Sequence, residues 1–482
     1  MASKQFKDCH GSMSPSSAFP LVEELSPSID VLQALRSLAH LPKLLLFDSA
    51  LKREPVGRFS FLMADPIEHW ELPVATFGLD PFSAVRVTWD RYQAEALPGL
   101  PPFQGGIAGL LGYELGHCWE KIPSAPHDEF KLPVMALGLY DWVLAWDHFT
   151  NRLWLISHGW PHTDPLQRRE HAAQRIRLVK DALQAARYDS NSTRLPKARP
   201  LRFAEQFPLA GAADVTSSFT RGQYLQTVDR VIEYIHAGDI FQANLSQRLL
   251  AQAPCDPIEM YAGLSSVNPA PFAGLMLWDD WAIISASPER YLCVSSGEVE
   301  TRPIKGTRQR KRGPEADLFT RDELRESDKD RAENVMIVDL LRNDLSRVCQ
   351  AGTIRVPRLC NVETYETVQH LVSEVRGQLM PGKTTWDLLQ ATFPGGSISG
   401  APKVRAMQII AELERTVRGP YCGSLCYIGT DGQTDSNLLI RSFVQRYGWL
   451  QCNVGGGIVA QSNAAAEYDE TLTKAAGMLK AL

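Results

Sequence analysis

Short apolar runs bounded by turn residues recur along the chain, and no regular succession of helical segments separates them. In the N-terminal part they are LLLFDSA at 44–50, RFSFLMA at 58–64, and YDWVLAW and LWLISHGW on either side of DHFTNR. Runs rich in aliphatic and aromatic residues with polar turns between them are typical of strands, and the last two predict a hairpin. Strands that do not alternate regularly with helices favour an α+β fold.

Further strands are predicted in the C-terminal part. IFQANLSQ at 240–247 alternates apolar and polar residues, which predicts a strand with one polar face that could line a site. Near the C-terminus, GSLCYIG, SNLLIRSFVQ and WLQCNVGGGIV are separated by TDGQTD and RYG. These turn residues predict an antiparallel meander.

Composition along the chain predicts two large domains. Residues 1–20 are Ser/Pro-rich and are expected to be poorly ordered, and 21–187 form a β-rich N-terminal domain that ends in a charged helix. Residues 188–217, which include YDSNSTRLPKARP, lack periodicity and predict a linker. The second domain, 218–482, contains two helices that carry acidic residues, one at about 323–347 and one at the end of the chain.

The overall charge excludes several classes of partner. The 482 residues carry a formal net charge of −5, with a pI of about 6.2, so no general basic field would attract nucleic acid or anionic membrane. We see no apolar stretch long enough to span a bilayer and no signal peptide, which predicts a cytoplasmic protein. An odd count of nine cysteines predicts reduced thiols.

Four acidic residues occur in two pairs on the predicted helices. Asp330 and Glu333 are three residues apart, as are Glu467 and Glu470, so each pair shares a helix face. Carboxylates from two helices would suit Mg²⁺, which prefers hard oxygen ligands. A solvated acidic face explains the same spacing.

Two glycine-rich stretches could bind an anion. Gly455, Gly456 and Gly457 lie between a predicted strand and the last helix, where backbone N–H groups could meet an anion or where the chain simply turns tightly. FPGGSISGAPK has the glycine spacing of a Walker A loop, but Ala401 and Pro402 stand where that loop has Lys and Ser or Thr. Kinase and ATPase chemistry is therefore disfavoured.

Three titratable residues stand in contexts that chemistry could use. Lys305, in RPIKGT, lies in a basic run at 302–312 that reads most simply as a solvated loop. The run has no aromatic residues and acids follow it, so a nucleic-acid patch is disfavoured. His370, in TVQHLVSEV, has two interpretations. It is a ligand or base, or it is a core histidine whose hydrogen bonds are made within the protein. Glu289 in SASPERYL is either a proton donor at a pocket wall or a charge at a strand end.

A series of motifs in fixed order resembles the chorismate-utilising enzymes over residues 220–482, and the first 200 residues resemble the same group more loosely. The motifs are GDIFQANLSQR, SASPERYL, RPIKGTR, AENVMIVDLLRNDLSRVC, HLVSEV, FPGGSISGAPKVRAMQII, GPYCGSLCYIG and NVGGGIVAQSNAAAEYDET. The resemblance implies antiparallel sheets packed as a sandwich with flanking helices.

Two positions indicate a branch of that family. Members that add water resemble one another in having a lysine where this chain has Gln242, whereas ammonia users have glutamine. Members that form anthranilate read PIAGT where this chain reads PIKGT at 303–307. The resemblance therefore implies amination of chorismate at ring carbon 4 through a covalent lysine adduct.

The resemblance also implies a role for each candidate residue. Lys305 would be the nucleophile and Glu289 the general acid. Mg²⁺ would be held by Glu333 and Glu470, with Asp330 and Glu467 supporting through water. The implied substrate-binding residues are Gln242, Gly306, Thr307, His370, Ser397, Tyr421, Arg441, Gly455, Gly456 and Gly457.

The source of ammonia is predicted to lie outside this chain. No second catalytic domain with a Gly-x-Cys-x-Gly nucleophile elbow is present in the sequence, so a separate glutamine amidotransferase subunit is expected to supply ammonia. Two alternatives stay open. One is anthranilate formation on the same fold, and the other is a non-catalytic protein that binds chorismate or nucleic acid.

Overall fold

The fold is that of two large antiparallel sheets, seen in a computed structural model that describes residues 19–54, 56–185, 198–311, 313–364 and 368–482. The expected disorder of 1–20 lies outside the described residues except for its last two. The strands are β1 Leu21–Leu25, β2 Leu45–Asp48, β3 Phe59–Met63, β4 Glu68–Leu72, β5 Gly106–Leu111, β6 Met135–Tyr140, β7 Trp142–Asp147, β8 Arg152–Ser157, β9 Phe207–Leu209, β10 Ala212–Ser217, β11 Gln242–Gln252, β12 Phe272–Trp278, β13 Trp281–Ser287, β14 Arg290–Ser295, β15 Glu298–Thr301, β16 Ile304–Gln309, β17 Arg355–Thr364, β18 Val368–Gln378, β19 Gly400–Ala401, β20 Ser424–Gly429, β21 Thr434–Asn437, β22 Ser442–Arg446 and β23 Trp449–Ile458.

Helices cover the outer faces of the sheets. They are α1 Val31–Leu38, α2 Ser83–Arg91, α3 Pro165–Ala185, α4 Arg221–His236, α5 Pro257–Val267, α6 Pro314–Glu326, α7 Asp328–Ser346, α8 Thr385–Thr392, α9 Lys403–Glu414 and α10 Ala464–Leu479, with two short 3₁₀ helices at Tyr113–Cys118 and Gly396–Ile398. In the described part of the chain, no helix is long and apolar enough to cross a membrane.

The two sheets pack as a sandwich. The larger sheet runs in the order β1-β8-β7-β3-β2-β12-β13-β22-β23-β11-β10-β9 with β19 on β11, and the smaller in the order β16-β18-β15-β14-β21-β20-β5-β6-β4 with β17 on β18. One apolar core contains side chains from both sheets, and two others lie between a sheet and its helices. The predicted α+β fold with antiparallel sheets in a sandwich and flanking helices is confirmed.

Both sheets contain strands from both predicted domains. β2 of the N-terminal part pairs with β12 of the C-terminal part in the larger sheet, and β5 pairs with β20 in the smaller. The linker predicted for 188–217 was wrong over 207–217, because β9 and β10 extend the larger sheet beside β11. Residues 188–197 of that linker lie outside the described part. The halves of the sequence therefore share one continuous framework.

Two other expectations about elements were wrong. The helix predicted at 323–347 is two helices, because the Ser327 side chain accepts a hydrogen bond from the Asp330 amide and caps the start of α7. The predicted meander is also broken. SNLLIRSFVQ is not one strand, since β21 pairs in the smaller sheet and β22 in the larger, and the chain crosses between the sheets at 438–441.

Candidate active site

Lys305 lies on β16, at the end of the smaller sheet. Its amine donates a hydrogen bond to the Ser397 carbonyl oxygen at 2.8 Å. The register against β18 shifts between Lys305 and Thr307, so Gly306 forms a bulge, with a left-handed φ of +70°. A Cβ on Gly306 would lie 2.8 Å from Leu324 Cδ1 and 2.9 Å from Asp330 Cγ. Glycine at 306 therefore lets α6 and α7 pack directly against the strand that carries Lys305.

The surroundings of Lys305 favour its neutral amine. Burial lowers the pKa of Lys305, and the charge of Lys474 lowers it further, whereas Glu333, Glu289 and Glu470 raise it. The net direction is downward, so the neutral amine is easier to form than on a free lysine.

Glu289 lies in the link where the chain passes from β13 in the larger sheet to β14 in the smaller. Its Oε1 accepts a hydrogen bond from Ser397 Oγ at 2.8 Å. Burial raises the pKa of Glu289, although Lys305, Ser397 and Arg441 act in the opposite direction. The Ser397 turn therefore contacts both candidate catalytic groups, through its carbonyl oxygen and its hydroxyl.

His370 is buried on β18, beside the Lys305 strand. Its Nδ1 lies 2.8 Å from Thr307 Oγ1. Burial, aided by the charge of Arg441, lowers the pKa of His370 to about 3. The imidazole is thus neutral near pH 7, which fits a role in lining a pocket better than a role as a cation.

Arg441 and Tyr421 both lie in loops. Arg441 lies where the chain crosses back from the smaller to the larger sheet and has a left-handed φ of +53°. Its carbonyl oxygen accepts a hydrogen bond from the Ala286 amide, which ties this crossing to the one that carries Glu289. Tyr421 is buried before β20. The sheets thus bring Glu289 and Arg441 together although 152 positions of sequence separate them.

Gly455, Gly456 and Gly457 lie inside β23, as the predicted strand WLQCNVGGGIV indicates, and not in the connection to the last helix. Gly457 is paired with Asn244 and Gly455 with Ser246 on β11, so the alternative of a tight strand-to-helix turn is excluded. A Cβ on Gly457 would lie 2.0 Å from Gln242 Nε2, so the missing side chain makes room for the Gln242 amide. Gln242 Oε1 is buried and has no hydrogen-bond partner among the described residues. An acceptor therefore remains available beside the glycine strand.

Asp330 and Glu333 lie on α7, and Glu467 and Glu470 lie on α10. Asp330 contacts Arg308 at 3.0 Å, and Glu467 accepts hydrogen bonds from Ser462 Oγ at 2.7 Å and Lys329 Nζ at 3.1 Å. Glu467 is 3% exposed, so the solvated acidic face is excluded for this residue. Burial raises the pKa of Glu333, and Asp330 and Glu467 add to the rise. These carboxylates therefore act on one another electrostatically.

The donor chemistry at this place fits a hard divalent cation. A Cβ on Gly456 would lie 3.3 Å from Glu467 Oε2 and 3.5 Å from Glu470 Oε1, so two carboxylate oxygens converge above the glycine strand. The described residues include no group of three or more His, Cys, Asp or Glu side chains that could hold a metal ion by themselves. Mg²⁺ commonly keeps several waters and takes only one or two carboxylates, so this set suits it.

Lys329 and Lys474 are the site residues that sequence reasoning missed. Lys474 contacts Glu470 at 2.7 Å and also donates to the Gly455 carbonyl oxygen at 2.8 Å. The Glu470–Lys474 pair has the i, i+4 spacing of helical ion pairs and could have been found by that signal. The contact between Lys329 and Glu467 joins two helices and leaves no local signal.

Comparisons with known proteins identify relatives along nearly the whole chain. Residues 60–480 match the family described as chorismate binding enzyme. Aminodeoxychorismate synthase component 1 of Salmonella typhimurium is 40% identical over 447 residues, covering 90% of this chain and 92% of that protein. Anthranilate synthase component 1 of Streptomyces coelicolor is 40% identical over 428 residues, covering 89% and 81%.

A solved structure has the same architecture. The crystal structure of anthranilate synthase component I from Streptococcus pneumoniae TIGR4 is matched with a TM-score of 0.74 and 29% sequence identity. The match covers 89% of this chain and 93% of that chain.

Proposed function

The chain belongs to the chorismate binding enzyme family, and we propose that it acts as component 1 of an aminodeoxychorismate synthase, converting chorismate and ammonia to 4-amino-4-deoxychorismate. One observation favours aminodeoxychorismate formation over anthranilate formation within the family. A lysine with a lowered pKa stands in RPIKGT, bonded to the Ser397 turn beside Glu289. The product leads to para-aminobenzoate and folate.

In the first step, the neutral amine of Lys305 attacks ring carbon 2 of chorismate. The C2–N bond forms, the ring double bonds shift, and the C4–O bond breaks. Glu289 supplies a proton to the departing hydroxyl, which leaves as water; its raised pKa supports this role because a general acid must hold its proton until that moment. The attacking amine gives up its extra proton to the surroundings.

In the second step, ammonia attacks carbon 4 and the double bonds shift back. The bond from carbon 2 to Lys305 breaks, which regenerates the amine. Two allylic displacements thus replace one direct exchange of hydroxyl for ammonia. Gln242 Oε1, buried and without a partner in the described part of the chain, is an acceptor that supports a place for a polar reactant.

The remaining candidate residues bind and orient the substrate. Tyr421, Arg441 and the Gly457 amide would hold the carboxylate on the enolpyruvyl side, and His370 and Ser397 would line the ring. Gly306 and Thr307 shape the wall next to Lys305, and Gly455 and Gly456 shape the wall below the acidic helices.

We assign Mg²⁺ to the acidic residues. Glu333 and Glu470 would hold the ion, with Asp330 and Glu467 supporting through water, and when bound it would supply a positive charge for the ring carboxylate. The convergence of Glu467 and Glu470 at Gly456 supports this assignment.

The partner would be a separate glutamine amidotransferase subunit in the cytoplasm. The name component 1, carried by relatives at 38–40% identity, supports a partner component. Purified chain should therefore use ammonium salts but not glutamine. Efficient use of glutamine by the chain alone would contradict a separate glutaminase.

Product analysis tests the proposed function. Incubation with chorismate, ammonium and Mg²⁺ should give aminodeoxychorismate, identified by mass spectrometry with its enolpyruvyl group intact. Anthranilate is the second candidate product, because relatives at 40% identity carry that activity in their names. Fluorescent anthranilate together with pyruvate would replace our assignment, and chorismate binding without turnover would favour a non-catalytic protein.

A further inference from the structure

Arg418 is a buried arginine that contacts parts of the candidate site without being one of the residues assigned to it. It lies in the loop between α9 and β20 and is 1% exposed. Its Nη1 donates to the Ile398 carbonyl oxygen at 3.1 Å, and its Nη2 donates to the Asn244 carbonyl oxygen on β11. The guanidinium also lies 5.5 Å from the ring centroid of Tyr421. One planar group thus touches three segments of the site.

The contact with Ile398 connects Arg418 to both catalytic groups. Ile398 directly follows Ser397, whose carbonyl oxygen accepts the hydrogen bond from Lys305 and whose hydroxyl donates to Glu289. A shift of this 3₁₀ turn would therefore move the acceptor for the amine and the donor to the carboxyl together. The contact with Asn244 ties the same turn to the strand that carries Gln242.

The guanidinium also pairs with a buried carboxylate. Glu414, the last residue of α9, accepts from Arg418 Nε at 2.9 Å and from Nη2 at 2.6 Å. Glu414 also accepts from the Ser246 amide at 2.8 Å. The charge of Arg418 is thus balanced by Glu414, while its fork of donors reaches the two carbonyl groups.

The backbone of Arg418 is fixed from the N-terminal half of the chain. Glu114, on the 3₁₀ helix Tyr113–Cys118, accepts hydrogen bonds from the amides of Arg418 and Gly419 at 2.7 and 2.9 Å. The guanidinium also lies 4.7 Å from the ring centroid of Tyr113. Contacts to both the backbone and the side chain therefore fix the position of Arg418.

We propose that Arg418 is a positioning residue that clamps the Gly396–Ile398 turn against β11, and so sets the places of the Lys305 amine and the Glu289 carboxyl. This inference rests on the proposed function. The proposed role needs the planar guanidinium of arginine and not only its positive charge. A lysine places its charge at one nitrogen on a flexible side chain, so it cannot contact Glu414, Ile398 and Asn244 at once.

The test compares two buried arginines. Arg248 is also 1% exposed and paired with a carboxylate, Glu129, but its side-chain contacts in the described part of the chain do not reach the Gly396–Ile398 turn. Arg418→Lys and Arg248→Lys would be assayed with chorismate, ammonium and Mg²⁺. The turnover number is expressed per chorismate-binding site, counted by calorimetric titration, so that misfolded protein does not enter it.

We expect Arg418→Lys to lower this kcat by about tenfold to a hundredfold, because a displacement of reacting groups by about 1 Å costs on that order. KM for chorismate should stay within about threefold, and Arg248→Lys should keep near wild-type kcat. A kcat for Arg418→Lys within twofold of wild type, or an equal loss in Arg248→Lys, would overturn the proposal. Failure of the proposed function is distinguishable, since wild-type protein would then form no aminodeoxychorismate.

Discussion

At the scale of single residues, Gly306 shows how the lysine strand and the acidic helix are brought together. Two separate features require glycine at 306. One is the left-handed φ, and the other is the short distance from its Cβ position to Leu324 and Asp330. The first follows from the bulge beside Lys305 and the second from the packing of α6 and α7. A side chain at 306 would therefore disturb the lysine and the proposed metal ligands at once.

Gly306→Ala should destabilise the protein by about 2 kcal/mol, through backbone strain and overpacking. Gly352→Ala is the matched control, because Gly352 has a similar φ of +78° but no atom within 4 Å of its Cβ position. Urea unfolding of both variants measures the difference. Equal losses of unfolding free energy would mean that the contact with α6 and α7 contributes nothing.

At the scale of elements, α7 and α10 carry the proposed metal ligands, and the contact between Lys329 and Glu467 joins the two helices. Replacing Glu470 with glutamine should weaken Mg²⁺ binding in the presence of chorismate by at least about tenfold, because a neutral amide is a poorer ligand for a hard cation. Isothermal titration calorimetry measures this directly. Asp469→Asn, on the exposed neighbouring position, is the control, and an unchanged Mg²⁺ affinity in Glu470→Gln would contradict the assignment.

Local signals in the sequence were sufficient for most strands and for the spacing of the acidic pairs. The hairpin of β7 and β8 follows from two short apolar runs on either side of a polar turn, signals that act over a few residues. The crossing at 438–441 and the pairing of β10 with β11 were missed because the choice of a partner strand depends on residues far away in the chain. The same holds for Glu289 and Arg441, which come together only because two crossings between the sheets are adjacent.

The roles of the site residues were predicted from the family resemblance and not from the pattern of charges in the sequence. Lys305 stands in a basic run that predicts solvent exposure, and neighbouring residues give no sign of its contact with Ser397. Arg418 gave no signal at all, because its contacts with Ile398 and Asn244 join segments 20 and 174 residues away.

At the scale of the whole molecule, the N-terminal half helps to build the site. It supplies strands to both sheets, and Glu114 holds the loop that leads to Tyr421. Burial raises the pKa of Glu114 to about 7, although the two backbone amides oppose the rise. This carboxyl therefore links the stability of the framework to pH.

The sign of that dependence follows from the raised pKa. The folded protein holds the Glu114 proton more tightly than the unfolded chain, so the stabilisation is full below about pH 4.5 and is lost as the pH rises through about 7. In the wild type, the free energy of unfolding should fall between about pH 5 and 8, and Glu114 should account for up to about 3 kcal/mol of that fall. Glu114→Gln cannot lose this proton, so its free energy of unfolding should fall less over the same range. Urea unfolding across that range measures it, with Glu205→Gln at an exposed position as the control. Equal slopes in wild type and Glu114→Gln would contradict the prediction.

The most direct test of the covalent route is Lys305→Ala, assayed for aminodeoxychorismate formation with chorismate, ammonium and Mg²⁺. Lys311→Ala, in the same basic run but exposed, is the matched control. We expect Lys305→Ala to lose activity by at least about a thousandfold, as expected for the loss of an essential nucleophile, while the fold persists by circular dichroism and Lys311→Ala keeps wild-type activity. Aminodeoxychorismate formed by Lys305→Ala at the wild-type rate would contradict the role of Lys305 as the nucleophile.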